Sequence, residues 1–165
     1  MATRRITEFL DGQHARYVLV SHSAAYTAQE IAASMHIPGR LLAKTVVVRI
    51  DGDLALAVVP AIKQVDTSAL CEVAKARNVE IADEQEFADR FTDCQLGTAP
   101  PFGNLFGLPT YADHSLAAQE DIIFNAGTHT DAIWMRFTEY RRFAHPHIAK
   151  IAKEPELVHP RFIQI

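Results

Sequence analysis

One lysine is the first residue of this sequence whose type and position could do chemistry. Lys44 stands between the apolar residues 41–43 and the β-prone run 45–48, where a hydrated ammonium group is costly to bury without a partner. A lysine placed in this way can turn its charge into a cleft and bind an anion such as a phosphate. The alternative is a strand-edge lysine whose aliphatic stem covers apolar surface while its ammonium reaches water. The residues alone leave both alternatives open.

The segment Gly97-Thr-Ala-Pro-Pro101 offers a second kind of group, the backbone N–H donor. The glycine permits unusual backbone angles and the two prolines stiffen the chain, so the few remaining amides can point at one spot. Such a loop could hold a carbonyl oxygen. The alternative is a rigid turn that covers the core through Phe102.

Other candidate groups are weaker. Ala126-Gly-Thr-His129 is a glycine turn that could bring an imidazole to the same cleft, where it could form a hydrogen bond or transfer a proton. A single histidine in a hairpin turn is more often simply exposed. The pair His145 and His147 has no third ligand nearby, and no phosphate loop, dinucleotide turn, nucleophile elbow or zinc-protease motif is present. We therefore expect no metal and no cofactor.

These groups must be positioned by a mixture of helices and strands. The Asp51-Gly52 pair between two apolar runs predicts a tight hairpin at the centre of a sheet. Capping residues predict the starts of three helices, at Thr27, Asp66 and Asp83. Strands are predicted at 17–20, 45–50, 54–59, 110–113, 121–125 and 132–137, helices at 28–35, 69–76, from 84 and from 138, and a shaped loop with inward aromatic residues at 96–108. The order lacks a steady βαβ rhythm, so an α+β fold with a mixed sheet is expected.

Length and composition support one soluble domain. The 165 residues suit a single domain over residues 1–165, and 48% hydrophobic content can build a core. The net charge of −4 argues against a protein that binds long stretches of phosphate backbone, so DNA is not an expected partner. A membrane is not expected either, because no apolar run is long enough to span one. Cys71 and Cys94 form no CxxC pair, which favours a reducing compartment, and no signal peptide or membrane span is seen. We expect a cytoplasmic protein.

Four blocks of the sequence together resemble the YbaK-type editing-domain family, relatives of the insertion domain of bacterial prolyl-tRNA synthetase. The blocks are residues 21–30 (SHSAAYTAQE), 43–48 (AKTVVV), 97–103 (GTAPPFG) and 124–129 (FNAGTH). Each block is weak alone, but their order and spacing are specific. Thr45 follows the lysine, as in the YbaK branch, whereas the branch that removes alanine from proline tRNA typically has asparagine there.

The resemblance implies a mixed sheet curled toward a barrel, an open pocket and hydrolysis of misacylated tRNA. Lys44 matches the family's lysine, which is taken to hold the phosphate of the terminal adenosine, and His129 falls where several members carry a pocket histidine. The loop matches the family's GxxxP segment, whose amides bind the aminoacyl carbonyl. The expected catalytic residues are Lys44, Gly97, Thr98 and Ala99, and the expected substrate-binding residues are Lys44, Pro100, Pro101, Phe102, Gly127 and His129.

The sequence thus predicts an aminoacyl-tRNA deacylase that contacts the acceptor end of its tRNA, with help from an aminoacyl-tRNA synthetase as a further expectation. The pocket walls are expected to include Val46, Val48, Phe102 and Leu105. The rival interpretation is a non-catalytic module of the same fold that binds an aminoacyl or nucleotide ligand. A different ester or amide hydrolase is a third alternative, but the sequence shows no nucleophile for it.

Overall fold

The computed structural model describes residues 2–23, 28–95 and 97–155. Its helices are α1 (Ala2–Gly12), α2 (Ala28–Met35), α3 (Thr67–Ala74), α4 (Glu84–Phe87), α5 (His114–Ala117) and α6 (Phe137–Ala144). Its strands are β1 (Tyr17–Ser21), β2 (Leu42–Ile50), β3 (Asp53–Pro60), β4 (Gln64–Val65), β5 (Val79–Ile81), β6 (Thr110–Asp113), β7 (Asp121–Asn125), β8 (Asp131–Arg136), β9 (His147–Ala149) and β10 (Ala152–Lys153). The predicted α+β class is confirmed.

The main sheet is mixed and open. Its strands run in the order β1-β8-β7-β2-β3-β6-β9, and β5 adds to β2 outside this path. The β1–β8, β7–β8 and β2–β3 pairs are antiparallel, whereas β2–β7, β3–β6 and β6–β9 are parallel. The path ends at β1 and at β9, so the strands of the described residues do not close into a barrel.

The predicted central hairpin is confirmed, because β2 and β3 pair from Ala43 with Pro60 to Ile50 with Asp53. Asp51 and Gly52 have φ values of 48° and 91°. Two successive positive φ values give the tight turn whose twist matches that of the strands. The carboxylate of Asp51 also accepts hydrogen bonds from the backbone N–H groups of Arg77 and Asn78, which fixes the chain before β5.

The two faces of β2 pack against different layers. Ala43 and Val47 face the side that contains α1, α6 and the 97–108 loop, in clusters with Phe102 and Phe106. Leu42 and Val48 face the other side, where α2 and α3 pack. Since successive side chains of a strand point to opposite faces, this alternation decides which β2 residues can share a site.

Most predicted helix starts are confirmed. Asp66 caps α3 by accepting a hydrogen bond from the Ala69 N–H at 3.0 Å, and Asp83 forms a capping box with Glu86 at α4. The capping box predicted at Thr27 lies outside the described residues. The N-terminal helix α1 was not predicted, although its Ile6 and Leu10 are fully buried.

A buried carboxylate joins the end of β6 to the C-terminal strands. Asp113 is 1% exposed and accepts hydrogen bonds from the N–H groups of Ser115, Ile151 and Ala152 at 3.1, 2.9 and 3.0 Å. Burial alone would raise its pKa, but these hydrogen bonds and that of the Ser115 hydroxyl outweigh it and lower the pKa. No helix within the described ranges is long and apolar enough to cross a membrane.

Candidate active site

The central strand β2 has an open stretch along one edge. On that edge β2 pairs with β7 at Leu42 and Ala43, and with β5 only from Val48 onward. Between them, among the described residues, the Val47 carbonyl accepts a hydrogen bond from the Ala82 N–H at 3.0 Å, and on this edge no strand pairs with residues 44–47, whose other edge pairs with β3. Lys44 and Thr45 therefore lie at a gap in the sheet.

The predicted loop is bound to the glycine turn that follows β7. The Gln95 N–H donates to the Gly127 carbonyl and the Gly127 N–H donates to the Thr98 carbonyl, both at 2.9 Å. The His129 N–H donates to the side-chain oxygen of Gln95 at 2.7 Å. Gly127 has a φ of 95°, which a residue with a side chain adopts only with strain. The structure thus brings the 97–101 and 126–129 segments together.

Two amides of the loop find no acceptor among the described residues. The prolines at 100 and 101 have no N–H, and the Thr98 N–H donates to the Gln95 carbonyl at 3.1 Å. The Thr98 hydroxyl donates to the same carbonyl at 2.6 Å, and Thr98 is 1% exposed. Within the described part of the chain, the N–H groups of Gly97 and Ala99 have no hydrogen-bond acceptor. Thr98 therefore holds the loop, while Gly97 and Ala99 can bind an oxygen from outside.

Gly97 and Ala99 line a cavity of about 320 Å³, which we call the loop cavity. One wall is β2, through Thr45 and Val47, and the other is the segment from α4 to Gln95. Phe87 and Phe91 add aromatic rings to its lining, and Glu84, Thr92 and Cys94 add polar groups. The cavity thus combines apolar surface, two hydroxyls, one carboxylate and the backbone of Gly97 and Ala99.

Lys44 lies at the same gap but not in the lining of the loop cavity. Its neighbour Thr45 faces that cavity, so alternation along β2 directs the Lys44 side chain to the opposite face, with Val46 and Val48. Lys44 is half-buried, and burial lowers the pKa of its ammonium. The described residues provide it with no ion pair or hydrogen bond. Within the described residues, Lys44 is therefore a partly desolvated cation that has no counter-charge.

The predicted pocket residues Pro100, Pro101 and Phe102 lie in the core. Phe102 is fully buried, and its ring packs against Phe124 and Tyr140 with centroid distances of 5.5 and 5.3 Å. The Tyr140 hydroxyl donates to the Pro101 carbonyl at 2.9 Å. These contacts hold the end of the loop against α6.

The expected walls do not line the loop cavity. Val46 and Val48 belong to the opposite face of β2, and Leu105 packs with Phe102. On β2 the residues that line this cavity are Thr45 and Val47, because alternate residues of a strand face the same side and the sequence does not show which set faces the loop. Sequence analysis also did not predict a role for Gln95, which hydrogen-bonds both the loop and the glycine turn. A glutamine before a glycine-rich loop is part of no recognised motif.

The titratable groups near the cavity include no activated thiol. Cys94 lines it, but burial raises the pKa of this thiol to about 11, with a smaller contribution from the charge of Asp93. His129 is half-buried and is not among the lining residues. In the described ranges, no group of three or more His, Cys, Asp or Glu residues is arranged to bind a metal ion.

Known proteins resemble this chain in sequence and in fold. The chain is 27% identical over 158 residues to the "Multifunctional Ser/Thr-tRNA deacylase ProXp-y" of Escherichia coli (strain K12). This alignment covers 91% of this chain and 92% of that protein. It is 26% identical over 107 residues to a proline–tRNA ligase of Desulfovibrio desulfuricans, a match to 65% of this chain and 18% of the ligase. A solved structure of a proposed trans-editing enzyme for prolyl tRNA synthetase superposes with a TM-score of 0.79 at 19% identity, over 92% of this chain and 97% of that one.

The sequence profile of one family, the aminoacyl-tRNA editing domain, matches residues 22–143. This range contains the gap in β2, the loop cavity and the glycine turn. The chain therefore belongs to the aminoacyl-tRNA editing domain family, which confirms the deacylase class predicted from its sequence.

Proposed function

We propose that this chain hydrolyses the ester of a misacylated tRNA at the gap beside β2, with the amino-acid side chain in the loop cavity. The observation that carries this assignment is the pair of free N–H groups, those of Gly97 and Ala99, at the edge of a cavity of about 320 Å³. Two N–H donors on a stiffened loop can bind an oxygen that gains negative charge.

The reaction requires water to attack the ester carbon. The carbonyl oxygen then becomes negative, and the Gly97 and Ala99 amides stabilise it more strongly than they bind the neutral ester. Collapse of the intermediate breaks the bond to the ribose oxygen, which leaves with a proton and releases the free amino acid. Losing one such donor commonly costs about 3 kcal/mol, or roughly a hundredfold in rate. Cys94 is protonated at neutral pH, so the mechanism uses water and a ribose hydroxyl of the substrate rather than a protein nucleophile.

Lys44 supplies charge rather than acid–base chemistry in this proposal. A half-buried ammonium without a counter-charge gains the most from a bound anion, because desolvation has already weakened its interaction with water. The phosphate of the terminal adenosine is such an anion. Since Lys44 and Thr45 face opposite sides of β2, the ester lies across the open edge, with the adenosine on the Lys44 side and the amino acid on the Thr45 side.

The amino acid is proposed to be small and hydroxylated. The related protein of Escherichia coli is a Ser/Thr-tRNA deacylase by name, and the loop cavity of this chain offers the hydroxyls of Thr45 and Thr92 and the amide of Gln95. Polar groups that bond a substrate hydroxyl disfavour an analogue without it, since they would be left unpaired.

The tRNA is contacted mainly at its acceptor end, because the net charge of −4 does not favour a long phosphate interface. The relation to prolyl-tRNA synthetase proteins supports a synthetase as a functional partner. Aminoacyl-tRNA is made and used in the cytoplasm, which is the proposed place of action.

A panel of mischarged tRNAs tests the proposal. The wild type is expected to release serine or threonine faster than alanine or valine, and Lys44→Met is expected to slow release at least tenfold without lowering the melting temperature. Its matched control is Lys150→Met, which removes an exposed lysine of equal charge. If every charged tRNA decays at the rate seen in buffer, the non-catalytic binding module replaces the deacylase.

A further inference from the structure

A side chain of the N-terminal helix α1 holds the segment of chain in which the loop lies. The Arg5 guanidinium donates to the Asp93 carboxylate, whose oxygens lie 3.2 and 3.3 Å away, and to the Leu105 carbonyl. It also lies over the Phe106 ring, with 4.8 Å from Cζ to the ring centroid. Asp93 precedes the 97–101 loop by four residues, and Leu105 follows it by four. One arginine therefore joins the two ends of the segment that contains the loop.

A guanidinium group suits this arrangement, because its N–H donors form a rigid planar fork. One terminal nitrogen of Arg5 binds the Asp93 carboxylate and the other binds the Leu105 carbonyl. A lysine ammonium is a point charge on a flexible stem and would not fix the distance between two such partners. Arg5 therefore sets the spacing between the two ends of the segment.

Both ends of the segment connect directly to the lining of the loop cavity. Asp93 lies in the chain between Thr92 and Cys94, and both of these neighbours line the cavity. The Phe106 ring packs on the ring of Phe91, another lining residue, at a centroid distance of 4.4 Å. A displacement of either end therefore moves a wall of the cavity.

The helix that carries Arg5 is itself firmly packed. Ile6 and Leu10 are fully buried in one cluster with Phe102, and the Phe9 ring meets the Phe102 ring edge-on at 6.0 Å. The sequence profile of the family begins only at residue 22, so α1 lies outside the residues that it matches. The loop is therefore held by an element of this chain that precedes the matched range.

The size of the contact favours a positioning role over a stabilising one. The side chains of Arg5 and Asp93 are 43% and 31% exposed, and an ion pair in contact with solvent adds little to the stability of a fold. The placement of a catalytic group is far more sensitive, because a shift of about 1 Å in a reacting geometry can cost roughly a hundredfold in rate. The same contact can thus contribute little to folding and much to the position of the loop.

We propose that Arg5 is a positioning residue for the deacylation, which holds the 97–101 loop where its amides reach the carbonyl oxygen of the substrate. Arg5 does not line the loop cavity and acts through Asp93 and Leu105. Its loss should therefore lower kcat and leave KM almost unchanged. This inference deepens the proposed function and rests on it.

Two methionine variants at neighbouring positions test the inference in the full chain. Arg5→Met removes the contacts to both ends of the segment and keeps an unbranched apolar stem. Arg4→Met is the matched control, because it removes an equal charge from the same helix together with an exposed ion pair to Glu8. In steady-state release of amino acid from mischarged tRNA, Arg5→Met should lower kcat about tenfold and change KM less than about twofold. Arg4→Met should keep the wild-type values, and both melting temperatures should fall by no more than about 4 °C.

Amide hydrogen exchange reports on the loop without any deacylation. The probes are the Thr98 N–H, which donates to the Gln95 carbonyl, and the Gly127 N–H, which donates to the Thr98 carbonyl. Exchange at both should become about tenfold faster in Arg5→Met, because the loop opens locally, and should stay at the wild-type rate in Arg4→Met. Exchange in the β2–β3 hairpin should not change in either variant, since it reports on unfolding of the core.

Three results would overturn the inference. They are equal kcat values for Arg5→Met and Arg4→Met, equal exchange at Thr98 and Gly127 in the two variants, and an equal rise of exchange in the loop and in the β2–β3 hairpin of Arg5→Met, which would assign Arg5 to stability. If the wild type hydrolyses tRNA and any of these results is found, the proposed function stands and this inference fails. If the wild type hydrolyses no tRNA while exchange in the loop depends on Arg5, the proposed function fails, whereas the hold of α1 on the loop is confirmed.

Discussion

Replacing Gly97 by alanine separates the role of the loop amides from the stability of the loop. Gly97 has a φ of 74°, and a Cβ added there would meet no atom within 4 Å. The cost to folding is therefore only that of holding an alanine in the left-handed region, about 1 kcal/mol. For a chain of this size the melting temperature should fall by roughly 2–4 °C.

Gly107→Ala is a matched control for this strain. Gly107 has a φ of 68° and equally open space around its Cβ position, but it does not line the loop cavity. Both variants should lose similar stability in thermal unfolding. Only the Gly97 variant places a methyl group, or a rotated peptide, where the carbonyl oxygen of the substrate should bind.

The expected kinetic result is a fall of about a hundredfold in kcat for Gly97→Ala, the usual size of the effect when one oxyanion donor no longer reaches the oxygen, because the methyl group or the rotated peptide separates the substrate oxygen from the Gly97 N–H. The assay is release of labelled amino acid from mischarged tRNA under single-turnover conditions. Gly107→Ala should stay close to the wild-type rate. If the two variants lose the same stability and both keep wild-type rates, the substrate carbonyl does not bind at the Gly97 N–H.

Three further substitutions or reactions test other parts of the structure. Asp113→Asn should lower the free energy of unfolding by about 2–4 kcal/mol at pH 7, because its pKa is lowered by the fold. The Asp113 carboxylate stabilises the fold above its unfolded-state pKa of about 4, and this stabilisation is lost as the pH falls through its lower folded-state pKa. In urea unfolding, the free energy of unfolding of the variant should therefore fall less steeply below about pH 4 than that of the wild type. The same pH dependence in both proteins would contradict this. Phe102→Ala should cost about 3–5 kcal/mol of stability as a core truncation, and a small cost with a weakened KM would return Phe102 to the substrate site. The alkylation rate of Cys94 by iodoacetamide should keep rising with pH toward its pKa of about 11, whereas a plateau below about pH 9 would show an activated thiolate.

Local signals explain what the sequence could predict of the fold. The Asp51-Gly52 turn and the Asp66 cap are each decided by a few neighbouring residues, and both are present as predicted. Helix α1 has no such signal, because its start lacks a capping residue and its stability comes from burying Ile6 and Leu10 against distant strands. Tertiary packing of this kind leaves little trace in a short window of sequence.

The candidate site was predictable only in part, for the same reason. The glycine–proline segment indicated a loop of free amides, but the Thr98 N–H is used in a hydrogen bond to the Gln95 carbonyl, so Gly97 and Ala99 are the loop residues whose N–H groups find no acceptor among the described residues. The wall residues depended on the alternation of β2, which a continuous apolar run does not reveal.

The most direct test of the account removes one loop amide and leaves the side chain unchanged. Incorporation of lactic acid at position 99 replaces the Ala99 N–H by an ester oxygen, and it also weakens the Thr98 carbonyl that accepts from Gly127. Glycolic acid at position 127 is the control, because it removes that same hydrogen bond and keeps the Ala99 N–H. The account predicts that kcat falls about a hundredfold at position 99, and at least tenfold more than in the control. Equal rates in the two ester variants would contradict the claim that the Ala99 amide stabilises the developing oxyanion.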